Sequence, residues 1–78
     1  MSMDKVPRGI AEQLSRNAME ARERMGGSLF ARAEHLGDPK AREAYYRIID
    51  GRHCSIAMLV RVARLLDTTA SELLEGVV

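Results

Sequence analysis

The chain has 78 residues, 12 Lys+Arg against 11 Asp+Glu, and a single cysteine, Cys54. That length gives one small domain, which buries only about 60% of the surface its unfolded form exposes. One cysteine excludes an intrachain disulfide and a multi-cysteine zinc site, and no run of about eighteen apolar residues is present to span a membrane.

Helical periodicity runs through the whole chain, and signals for strands are weak. The first helix is predicted from Val6 or Ile10 to Met25, with Ile10, Leu14, Ala18, Ala21 and Met25 on one face. Gly26-Gly27 ends it, and Ser28 supplies the oxygen that caps a short second helix. Leu29, Phe30, Ala33 and Leu36 form the apolar side of that helix, and Gly37 closes it. Asp38-Pro39 opens the third helix, with Asp38 as the cap and proline at a position where its missing N–H costs nothing. This helix runs to about Asp50, with Ala41, Ala44, Tyr45 and Ile48 inward, and stops at Gly51. After the loop Arg52-His53-Cys54, Ser55 caps a fourth helix whose stripe is Ile56, Leu59, Val60, Ala63 and Leu66. Thr69 and Glu72 form a capping box that opens a last short helix carrying Leu73 and Leu74. The prediction is therefore all-α, a single five-helix domain over residues 1–78.

Charge is not spread evenly along these elements. Residues 1–39 balance, whereas residues 40–64 carry Lys40, Arg42, Arg47, Arg52, Arg61 and Arg64 against Glu43 and Asp50. The remainder holds Asp67, Glu72 and Glu75 with no cation. The middle segment is the part suited to a polyanion, although scattered arginines also serve simply to solvate helix faces.

Residues 26–74 resemble the lambda-repressor-like, Cro- and Xre-type family of helix-turn-helix regulators. The motifs that carry the resemblance are Arg47-Ile48-Ile49-Asp50-Gly51 at the end of the third helix, the capped run from Ser55 to Leu66, and Glu72-Leu73-Leu74. The turn Gly37-Asp38-Pro39-Lys40 is longer than the family's usual one, and Leu29 stands where the family often has a phosphate-gripping Gln. The resemblance implies a compact five-helix lambda-repressor-like fold. It also implies binding of double-stranded DNA, with the third helix as the recognition helix.

On that reading Lys40, Arg42, Glu43, Tyr46 and Arg47 face outward toward bases. Arg42 suits a bidentate contact to guanine, and Glu43 either accepts from a cytosine amino group or pairs with Arg47 one turn on. Tyr46 either touches DNA or covers a groove between helices, and Lys40 suits base or phosphate. Ser28, Arg52 and His53 are the expected phosphate contacts, Ser28 doubling as a cap. A homodimer is expected, because one such unit reads only a few base pairs. Leu73, Leu74, Val77 and Val78 are the candidate interface, unless Leu73 and Leu74 merely finish the monomer core.

His53 beside Cys54 is a poor nucleophile–base pair, since neighbours in a short loop rarely reach each other and no orienting group is evident. Cys54 reads as a small packing residue, His35 as a helix-end residue, and Arg61 and Arg64 as solvated. No enzyme, cofactor, metal or small-molecule ligand is therefore expected. The charged opening MSMDKVPRGI has no apolar signal-peptide core, so a cytoplasmic protein is expected. The competing reading is a protein-interaction module, an antitoxin or anti-repressor, that keeps the fold with little or no DNA binding.

Overall fold

Caps and glycines divide the chain where the sequence places them. The computed structural model describes residues 8–52 and 54–77. They form α1 (Arg8–Met25), α2 (Leu29–Leu36), α3 (Lys40–Ile49), α4 (Ile56–Leu65) and α5 (Ala70–Leu73). No strand occurs among the described residues, and none of these helices is long and apolar enough to cross a membrane. His53 and Val78 lie outside the described residues.

The starts of α2, α4 and α5 carry their expected side-chain caps. Ser28 accepts from the Ala31 amide (3.2 Å), Ser55 from Met58 (3.1 Å) and Thr69 from Glu72 (3.2 Å). The start of α3 differs. Pro39 already has helical angles, and the side chain of Asp38 is no cap: its carboxylate meets Arg61 of α4 at 3.1 Å. Only the backbone carbonyl of Asp38 serves the helix start, accepting from Ala41 (3.1 Å). Asp38 therefore ties two helices together instead of finishing one.

Three helix ends share one device. At α2, Gly37 donates to Glu34 and Asp38 to Ala33; at α3, Gly51 donates to Ile48 and Arg52 to Arg47. These paired bonds satisfy carbonyls that the helix leaves open, and they need a left-handed residue at the pivot. Gly37 (φ 68°) and Gly51 (φ 72°) supply it without strain. At α4 the same bonds, Asp67 to Arg64 and Thr68 to Ala63, turn on Asp67, a non-glycine residue held at φ 56°.

The core forms where α3 packs against α1, α2 and α4, with α5 closing over α1 and α4. Ala18, Ala21, Ala33, Ala41, Ala44 and Ala63 are buried at the contacts, so helix axes approach closely. Ile48, Val62, Leu65, Leu66 and Leu73 fill the centre; a fully buried side chain of this size contributes about 1.5–3 kcal/mol. Polar bonds fix how the helices meet. Ser15 donates to the Ile49 carbonyl at the end of α3 (3.0 Å). The Asn17 amide donates to the carbonyls of Leu73 (2.8 Å) and Glu75 (2.7 Å), and its oxygen accepts from Gln13 (3.0 Å). Arg32 of α2 donates to the Arg64 carbonyl (3.2 Å) at the end of α4.

Several apolar positions face the other way from expectation. Ile10, Phe30, Val60 and above all Ile56 (80% exposed) stand in solvent. The core stripe of α1 begins at Ala11, and that of α4 runs through Leu59, Val62, Ala63 and Leu66. Position 60 lies one step round from Leu59, so apolar spacing alone does not mark it as outside.

Candidate nucleic-acid interface

The alternation of side chains on α3 follows directly from its period. Ala41, Ala44, Tyr45 and Ile48 are buried, and Lys40, Glu43, Tyr46, Arg47 and Asp50 are exposed. One face is held by three other helices while the opposite face stays open. A helix of this length spans about 15 Å, and the major groove of B-form DNA, about 12 Å wide, admits an α-helix.

Of the residues expected to face bases, Lys40, Glu43, Tyr46 and Arg47 share that open face. No ion pair joins Glu43 to Arg47 among the described residues, so neither charge is neutralised by the other. Tyr46 rests edge-on against the buried Tyr45 ring, with centroids 5.3 Å apart and planes at 69°, an arrangement that limits its swing. Burial pushes the Tyr45 hydroxyl above its ordinary range. The Arg22 guanidinium opposes that shift and Tyr46 adds to it.

Arg42, expected to face outward, lies half-buried at the edge of the open face of α3. Its guanidinium carbon sits 5.2 Å from the centre of the Phe30 ring of α2, and its Nε is buried without a hydrogen-bond partner. The aromatic of the preceding helix accounts for the difference, because the ring's negative face attracts the cation across the gap between helices. Phe30 itself was expected in the core and is 54% exposed.

Among the phosphate candidates, Ser28 is exposed and caps α2, and Arg52 is exposed beyond the end of α3. The bond from the Arg52 amide to the Arg47 carbonyl (2.9 Å) fixes Arg52 one turn beyond Arg47. His53 lies outside the described residues. The cations thus form a run along α3 and past its end, whereas Arg61, exposed as expected, also pairs with Asp38.

The expected dimer surface changes character. Leu73 is 1% exposed and belongs to the core, so it cannot meet a second chain. Its neighbour Leu74 is 37% exposed, and Val77 packs partly against the core. Val78 is outside the described residues. More exposed apolar side chains stand on α4, at Ile56 and Val60.

Cys54 packs half-buried against the core, and burial raises its thiol above the ordinary range. That disfavours the thiolate a nucleophile requires. Among the described residues no group of three or more His, Cys, Asp or Glu side chains comes together in a way that could hold a metal ion.

Comparison with known proteins yields no match, whether to family models, to curated proteins or to solved structures.

Proposed function

We propose that this chain is a sequence-specific double-stranded DNA-binding transcriptional regulator of the lambda-repressor-like helix-turn-helix class, a repressor that binds a palindromic operator as a homodimer. The observation that carries the reading is α3 itself. It is anchored on one face by three helices and exposes Lys40, Glu43, Tyr46 and Arg47 on the other, with Arg52 one turn further on.

In this mechanism α3 enters the major groove. Arg47 and Lys40 hydrogen-bond base acceptors, Glu43 accepts from cytosine amino groups, and Tyr46 covers the thymine methyl or a phosphate beside it. Arg52 and the amide end of α2 around Ser28 grip phosphates and set the register. A second copy related by a twofold axis reads the other half-site about one helical turn away. Leu74 and Val77 remain the candidate contacts between the copies.

Selection of bound sites from random duplexes tests all of this together. The expected result is a palindromic consensus whose affinity falls steeply with salt, as several phosphate contacts require. Arg47→Ala flattens the preference at one base pair, and Arg52→Ala weakens every duplex alike. Failure to bind any duplex at low salt refutes the reading. The outcome would then favour a protein-interaction module, which the exposed Ile56 and Val60 on α4 support.

A further inference from the structure

The contact between α2 and α3 that bears on recognition is a cation over a ring. Arg42 sits 5.2 Å from the Phe30 centroid, half-buried, with Nε shut away from solvent and given no oxygen to donate to. A free arginine carries about 2 kcal/mol of rotamer entropy that any hydrogen bond must overcome. Here the stem and Nε are already fixed between two helices. The terminal nitrogens are not among the buried, unpartnered atoms. The side chain is therefore a pre-set fork at the edge of α3, beside the open face that carries Glu43 and Arg47.

Phe30 has no other evident use. It lies more than half in solvent, on a helix whose core contacts are made by Leu29 and Ala33. Exposing a phenylalanine gains nothing for the fold. Its ring does supply the negative face that holds a guanidinium in one orientation.

We propose that Phe30 is a positioning residue for recognition: it holds Arg42 so that its terminal N–H fork reads one guanine at the α2 side of the site. This rests on the DNA-binding reading above, and it deepens that reading by assigning specificity to a residue of α2 that touches no base. Arg42 then acts at the border of the interface, and the remaining bases fall to the open face of α3.

Two measurements on the intact chain test this. In the protein alone, the Arg42 Nε–H proton resonates upfield through the ring current of Phe30. The shift collapses in Phe30→Leu and persists in Phe30→Tyr. In site selection, Phe30→Leu lowers the preference at one base pair about 2–5-fold, the fold-change that corresponds to an exposed cation–ring contact. The other positions and the salt slope stay as in the wild type. Phe30→Tyr restores the preference, and Arg42→Ala removes it at that same base pair.

An unshifted Nε–H resonance in the wild type overturns the proposal. So does a Phe30→Leu protein that selects the wild-type site with undiminished preference, or one weakened equally on every sequence. If the wild type binds no duplex, the DNA reading fails and the specificity role fails with it. The resonance of Arg42 reports separately whether the stack itself exists. Because Phe30 is largely exposed, neither of its variants is expected to disturb folding, and thermal unfolding of each verifies this.

Discussion

Replacing Asn17 by alanine removes two hydrogen bonds by which α1 holds the end of α5. Its amide donates at 2.8 Å to the Leu73 carbonyl and at 2.7 Å to that of Glu75, and Gln13 fixes which way the amide points. A hydrogen bond of this type contributes about 0.5–1.5 kcal/mol net. Water reaches the Glu75 carbonyl once the donor is gone, which softens the loss there. Asn17→Ala is therefore expected to cost about 1–2 kcal/mol, from the total of about 4–12 kcal/mol that a domain of this length possesses. In thermal unfolding that corresponds to a drop of about 5–15 °C. Urea unfolding followed by circular dichroism should show a lower midpoint at an unchanged slope. Asn17→Asp should be worse at neutral pH, because a carboxylate then faces two carbonyl oxygens. That carboxyl would titrate above its ordinary range in the folded state, so the variant should regain stability as pH falls through its raised value. An Asn17→Ala protein within about 0.3 kcal/mol of the wild type would refute the argument, since that lies below the smallest contribution expected of even one such bond.

Three further expectations follow from the backbone and the buried groups. Asp67→Gly should raise stability by about 0.5–1 kcal/mol in urea unfolding, because it relieves a left-handed residue with a side chain. The ion pair it sacrifices, to Arg32 at 3.6 Å, is long and open to solvent on the Asp67 side, and contributes little. Gly51→Ala should lose about 1–2 kcal/mol in the same assay: it forces that conformation on a residue whose new Cβ would also lie 3.4 Å from the Ala11 Cβ. Cys54 and Tyr45 are both held neutral by burial, so their contribution to stability is complete below their ordinary titration ranges and is lost as pH rises through them. A pH series of unfolding midpoints should fall on the alkaline side. The thiol should react slowly with an alkylating reagent at neutral pH, and rapid modification there would contradict the burial.

Helix order and the caps at Ser28, Ser55 and Thr69 were legible in the sequence, because each depends on residues within one or two turns. The inward face of α3 was equally plain, since small and large apolar residues recur there at an unbroken helical period. What escaped were choices that depend on another helix. Asp38 has the chemistry of a cap, and only the presence of Arg61 across the fold diverts it. Phe30 is apolar and falls on an apolar face. Its exposure follows from where α2 lies relative to α3, and no local rule contains that. Arg42 was assigned to the open face by periodicity, which places it near the edge, and a cation–ring contact then settled its side. At the α5 end, Leu73 and Leu74 looked equivalent by composition; the closure of α5 over α1 and α4 buries one and leaves the other at the surface. The candidate interface was thus readable for Lys40, Glu43, Tyr46 and Arg47, which a single helix arranges. It was obscure for Arg42 and Leu73, which neighbouring helices arrange.

The clasp at Asn17 makes the first and last described helices mechanically one unit. Loosening either exposes the same bonds, so strain applied at one is felt at the other. Amides of α5, a helix of only four residues, should then exchange with solvent on the timescale of α1 and not at the fast rate its length would suggest. A segment too short to be a helix by itself is helped to persist as one by a side chain far back along the chain, which holds carbonyls at and just past its end.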